Sequence, residues 1–144
     1  MEPSVMGKVL VKAKMESLGD LMEVARGHRS PDQVRMVEVD DALVDTGATM
    51  LSMPMRLIKE LGLELRRTRR VRTAGGIREM GVYDGVQLTI QGRDCLMEVG
   101  ELPDECPVFI GQIPLEALDW VVDPIGQRLI GNPEHHGEHM TDCF

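Results

Sequence analysis

Ala42-Leu43-Val44-Asp45-Thr46-Gly47-Ala48-Thr49 is an apolar run that ends on a carboxylate, a hydroxyl and a glycine. Read physically, it is a buried strand that stops at an acid in a tight turn. Gly47 would allow backbone geometry that a side chain forbids, and the small Ala48 would leave the space above the turn open. Asp-Thr-Gly is also an ordinary turn tripeptide. What sets this copy apart is its approach, because Ala42, Leu43 and Val44 bring Asp45 to the end of a core strand, where an unpaired carboxylate is costly. An acid kept there needs a reason, and the turn would let another group approach the Asp45 carboxylate closely.

Working outward, the chain of 144 residues is about one domain, long enough to bury a core without staples. Asp-Thr-Gly occurs once, and neither Asp20, Asp84, Asp119 nor Asp123 is followed by Thr-Gly or Ser-Gly. The formal charge of −8 argues against a general binder of nucleic acid or anionic membrane. Cys95, Cys106 and Cys143 are odd in number and unrelated in spacing, which fits free thiols in a reducing compartment. The start of the chain has an acid where a leader has bases, and no stretch approaches the ~20 apolar residues of a membrane span. A cytoplasmic location is expected. Aromatics are scarce and methionine is plentiful, so the core should be aliphatic with methionine filling irregular gaps.

Before the acid stretch, Lys8 to Met15 alternates lysine with apolar residues at period two, the pattern of a half-buried strand. Leu21–Arg26 and Val34–Val39 read in the same way, with Gly27 to Asp32 as the turn between them. Asp40 and Asp41 read as a solvated turn before the acid strand, with a second carboxylate site as the alternative. After it, Pro54 to Leu61 places Leu57, Ile58 and Leu61 on one helical face, with Ser52 as cap and Gly62 as stop.

Arg66 to Arg78 is the only strongly basic segment. It reads as a strand with arginines on its wet face, or as a local site for an acidic substrate or nucleic acid. Ala74-Gly75-Gly76 lies between strand-like arms and reads as a hairpin tip. Val86–Ile90 and Cys95–Val99 flank Gln91-Gly92-Arg93-Asp94 as a further hairpin, with Cys95 a buried inert thiol. Phe109-Ile110-Gly111 then precedes a short helix, and Trp120–Pro124 with Arg128–Pro133 suggests a last hairpin. Residues 134–144 hold three histidines and Cys143. This composition could bind zinc or nickel, but the segment is polar and terminal, lacks His-Glu-x-x-His order, and reads as a flexible tail.

In this order, the acid loop, the glycine hairpin and the hydrophobic-hydrophobic-Gly segment resemble the retropepsin-like aspartic proteases, in their cellular and bacterial branch. The resemblance spans about Val34 to Pro133, with Leu61-Gly62-Leu63 as a further match. It implies an all-β domain with one or two short helices, a closed acid-protease barrel whose active site lies at a homodimer interface. Residues 1–33 would add strands to that domain, 34–133 would be its core and 134–144 its tail. Because the chain has one acid motif, a second copy must supply the other Asp45, and two carboxylates so close would share a proton and titrate as a unit. By resemblance, Thr46 bonds across the interface, while Gly47 and Ala48 line the cleft. Ala74, Gly75 and Gly76 form a flap, and Phe109, Ile110 and Gly111 buttress the acid loop. Gln112 stands where viral enzymes commonly have Arg, which removes an ion pair expected there.

The implied activity is peptide-bond hydrolysis of an extended polypeptide in mildly acidic solution, with no metal, cofactor, nucleic acid or membrane involved. The alternative is a dimeric peptide-binding or assembly module on the same fold, its proteolysis vestigial or latent. A metal-binding protein using the histidine tail is a third reading.

Overall fold

The computed structural model describes residues 8–143; residues 1–7, read above for a leader, and residue 144 lie outside them. Among the described residues, nine strands run in the order β1 (Val9–Ser17), β2 (Met36–Val44), β3 (Leu51–Pro54), β4 (Leu65–Thr73), β5 (Gly76–Ile90), β6 (Arg93–Leu102), β7 (Phe109–Ile110), β8 (Trp120–Asp123) and β9 (Arg128–Gly131). Among the described residues there are three short α-helices rather than one or two: α1 (Leu18–Ala25), α2 (Met55–Leu61) and α3 (Gln112–Leu118). Hydrogen bonding follows β1-β2-β7-β3-β6-β5 and returns to β1 through Lys14–Ser17 paired with Val86–Thr89, which closes a six-stranded barrel. Closure removes the unpaired edges that an open sheet would expose. β4 stands outside the ring, paired only to β5, and β8 and β9 form a separate hairpin.

The period-two reading of β1 holds, since Val9, Val11, Ala13 and Met15 are buried while Leu10 and Lys12 face out. Leu21–Arg26, expected as a strand, lies in and just after α1. Two local features favour the helix. Ser17 Oγ accepts from the Asp20 amide at 3.2 Å, capping the first turn, and the Asp20 carboxylate is fixed by the start of β2. Asp20 Oδ2 accepts from the Arg35 backbone amide and from Arg35 Nε, both at 2.9 Å, while Oδ1 accepts from the other arm of the guanidinium at 2.9 Å. The Arg35 side chain outweighs the burial penalty and holds the Asp20 carboxyl down at about 2. The guanidinium also lies over Gly62, where a Cβ would stand 1.9 Å from an arginine nitrogen. One pair thus ties α1, β2 and the end of α2 together.

Asp40 and Asp41 belong to β2 rather than to a turn before it. They sit at a register shift: Val11 pairs with Ala42 and Ala13 with Val39, so two exposed aspartates oppose the single Lys12. This is a β-bulge, and it turns the last residues of β2 so that Ala42 and Val44 are again buried. Gly62 ends α2 in the left-handed region, as its position suggests, but Ser52 does not cap that helix and lies buried in β3. The β5–β6 hairpin turns on Gln91 and Gly92, both with positive φ (51° and 87°), the geometry of a two-residue turn matched to strand twist. The core that fills the barrel is aliphatic with methionine, including Met15, Leu51, Met53, Ile58, Leu88, Ile90, Ile110 and Leu118 at 0% exposure.

Candidate active site

β2 ends at Val44, and Asp45 is the first residue beyond it. The short strand β7 explains why the chain can stop there. β7 pairs in parallel with β2 (Leu43 with Phe109, Val44 with Ile110) and antiparallel with β3 (Leu51 with Ile110, Ser52 with Phe109). Both arms of the acid loop are thus joined through two residues. The Asp45 amide continues the ladder by donating to Ile110 O at 2.9 Å, and beyond it Gly111 N donates to Met50 O at 3.2 Å. Gln112 N and Ile113 N, the first amides of α3, donate to Ala48 O and Thr49 O, each at 2.9 Å. Helix-start amides that would otherwise lack partners therefore hold the loop's carbonyls.

Gly111 makes this packing possible. A Cβ there would meet Met50 O at 2.6 Å and the Thr49 carbonyl carbon at 2.7 Å, both backbone atoms that cannot turn away. Phe109 and Ile110 therefore pair with both arms of the acid loop, and Gly111 packs against its backbone. Gln112 is neutral and so offers no ion pair to the loop; its side-chain amide donates to Glu116 Oε1, one turn along α3, at 3.2 Å.

Within the loop, Gly47 N donates to Asp45 Oδ1 at 3.0 Å, and Ala48 N to Asp45 O at 3.0 Å. The carboxylate is half-buried, whereas Thr46 and Gly47 are exposed on the single chain. The reason for Gly47 differs from the one expected. Its φ is not positive, so no forbidden backbone conformation is involved. Instead, a Cβ would stand 3.3 Å from Asp45 Oδ1 and crowd the carboxylate.

Ala74 and Gly75 form the two-residue tip of the β4–β5 hairpin, with Thr73 paired to Gly76. Thr73 Oγ1 accepts from Gly75 N at 3.2 Å and donates to Gly76 O at 2.8 Å, so a side chain shapes an otherwise exposed tip. The base of the hairpin is anchored by Glu101, whose carboxylate accepts from Gly81 N at 2.9 Å and from the Tyr83 hydroxyl at 3.3 Å. Next to it, Met80 of β5 and Met50 of the acid loop converge over Gly100 of β6. A Cβ at Gly100 would lie 2.8 Å from the sulfur of Met80 and 3.2 Å from that of Met50. The reading of the sequence missed this contact between hairpin and acid loop. No pattern marks it, because Met50 and Met80 look like any other core methionines.

The C-terminal segment has its own network. Asp119, in the left-handed region at the end of α3, accepts from His135 Nδ1 at 2.7 Å and from the Met140 amide at 3.1 Å through Oδ2. His135 Nε2 faces Asp142 Oδ2 at 3.2 Å, and Arg93 donates to Gly137 O at 2.6 Å while stacking 3.9 Å from the Trp120 ring centre. Of the tail residues read as metal ligands, His135 is used in these contacts and His139 Nε2 lies 3.1 Å from Ala117 O. Among the described residues, no group of three or more His, Cys, Asp or Glu side chains is placed to hold a metal ion.

A closed six-stranded barrel whose acid loop is clasped by a two-residue strand has the architecture of the retropepsin-like acid proteases. Residues 33–99 match the family model described as gag-polyprotein putative aspartyl protease, a match that supports a retropepsin-like family for this chain. The match covers the acid loop and the β4–β5 hairpin; β7 lies beyond it. Comparison with curated proteins gives no match. No helix among the described residues is long and apolar enough to cross a membrane.

Proposed function

We propose that the domain is an aspartic endopeptidase in which Asp45 of two identical chains forms the catalytic pair. The observation that carries this reading is the clasped acid loop, whose half-buried carboxylate emerges beside exposed Thr46 and Gly47. One chain supplies one such carboxylate at the site. Water activation between two acids needs a second, and an exposed loop is free to meet its own copy across a two-fold axis.

Two carboxylates held within hydrogen-bond reach share a proton, because like charges at that distance repel. The ionised member removes a proton from a bound water while the protonated member polarises the scissile carbonyl. The water oxygen adds to the carbonyl carbon, and the tetrahedral intermediate collapses as a proton passes to the leaving amine. Thr46 would tie the two loops together, and the open space above Gly47 and Ala48 would admit an extended backbone that bonds as an added strand does. The β4–β5 hairpin, with Ala74, Gly75 and Gly76 at its tip, would close over that strand and exclude bulk water.

The test is cleavage of a diverse unstructured peptide pool between about pH 4 and pH 7, with Asp45→Asn alongside and dimer mass measured by light scattering. Cuts made by the wild type, absent in Asp45→Asn and dependent on dimer concentration are the expected result. A demonstrated dimer that makes no cuts would overturn it and leave a peptide-binding module on the same fold.

A further inference from the structure

The β4–β5 hairpin carries a charge opposite to that of the rest of the chain. Between Leu65 and Arg78 lie six arginines and no acid, in a protein of net charge −8. Two of the six are neutralised by neighbours: Arg66 bonds Asp84 at 2.6 Å, and Arg67 pairs with Glu98. Arg69, Arg70, Arg72 and Arg78 have no ion-pair partner among the described residues.

Register divides these four between the two faces of the hairpin. Arg69 lies directly opposite Met80, and Val71 opposite Arg78. Residues opposite one another, or two apart along a strand, share a face. Arg69, Val71, Arg78 and Met80 therefore stand on one side. That side is identified by Met80, which is 7% exposed and meets Met50 of the acid loop over Gly100. Arg70 and Arg72, opposite Glu79 and Ile77, lie on the other side.

We propose that Arg69 and Arg78 make the cleft selective for acidic polypeptide segments, by pairing with Asp or Glu side chains of a peptide held between the hairpin and the acid loop. The proposal rests on the peptidase reading for the position of the peptide, but not on catalysis. An extended peptide places alternate side chains toward the hairpin, and Val71 with Met80 gives them an apolar floor between two cations. A guanidinium without an internal carboxylate partner is available to bind one, with two parallel N–H donors. The acidic balance of the rest of the chain would repel such peptides elsewhere and leave this face as the favoured contact.

Asp45→Asn protein is titrated by fluorescence anisotropy with labelled peptides of matched length that are acidic, neutral or basic, and with a single-stranded oligonucleotide. The proteins compared are this one, Arg69→Gln/Arg78→Gln and Arg70→Gln/Arg72→Gln in the same background. The two double variants lose equal charge from opposite faces. We expect acidic peptides to bind best and the inner pair to cost about tenfold in affinity, while the outer pair costs about twofold or less. Equal losses from both pairs, no preference for acidic peptides, or tighter oligonucleotide binding through the same residues would each overturn the proposal. Cleavage by the wild type is measured separately on the same peptides. Absence of cleavage with acidic binding intact counts against the peptidase reading alone, and cleavage without acidic preference against the selectivity alone.

Discussion

The backbone of Gly111 lies directly against that of Met50, with Gly111 N donating to Met50 O at 3.2 Å. The space a Cβ would need is filled by loop backbone, so this contact sets the distance between β7 and the acid loop.

Gly111→Ala should therefore force the loop and β7 apart. We expect a loss of about 2 kcal/mol in stability by urea unfolding, in the range of overpacked cores. Peptide cleavage should fall more steeply than stability explains, by about a hundredfold, because Asp45 is displaced. Gly75→Ala is the comparison. Its Cβ would meet only Thr73 Oγ1, at 3.8 Å, so stability should change by less than about 0.5 kcal/mol.

The Asp20–Arg35 pair should make folding sensitive to acid in a defined window. A carboxyl lowered from 3.8 to about 2 in the folded chain contributes stability above the unfolded value and loses it as pH falls through the folded one. The lowering corresponds to about 2 kcal/mol. Asp20→Asn should be less stable than wild type near neutrality, and the gap should shrink between about pH 4 and pH 2. Denaturant midpoints measured across that range test it, and a constant gap would contradict the ion-pair account.

His135 should fasten the C-terminal segment in a pH-dependent way. Hydrogen bonds to Asp119, and then to Asp142, raise its pKa above the ordinary histidine value. Both ring nitrogens face carboxylates, so the protonated ring satisfies both. A raised folded pKa means that this contribution is complete below the unfolded pKa and fades as pH rises through the folded one. Hydrogen exchange in residues 133–142 should speed up on alkalinisation beyond the intrinsic base-catalysed rate. In His135→Gln that excess should disappear, with exchange already fast at low pH.

Burial, with a smaller effect of Asp94, pushes the Cys95 thiol up to about 11. The exposed Cys143 should alkylate first near neutrality, and Cys95 should react at least about tenfold more slowly. Peptide mapping after timed iodoacetamide treatment measures the order, and equal rates would show that β6 opens readily.

The acid loop, the hairpin tip and the Phe109-Ile110-Gly111 segment were legible because each is a local pattern: apolar run to acid, glycine between strand arms, bulky pair before glycine. α1 was not, since Leu21, Met22, Val24 and Ala25 suit a period of two or of 3.6 about equally. The cap signal was present, with Ser17 three residues before Asp20. What settled it was Arg35, fifteen residues further on, which fixes the Asp20 carboxylate. Asp40 and Asp41 misled for a related reason, as a bulge is defined by the strand opposite and leaves little mark in its own sequence.

By itself, the sequence determined the composition of the core, the strands with a wet and a dry face, and the acid at the end of β2. These depend on side-chain chemistry repeated at short spacing. Only the tertiary structure decided that β1 would close on β5, that Gly47 spares a carboxylate from crowding, and that Arg69 and Arg78 share a hairpin face with Met80, which approaches Met50 of the acid loop over Gly100. Each of these is a distance between residues remote in the chain, and such distances arise only when long-range pairing has overcome the entropy of closing the intervening loops.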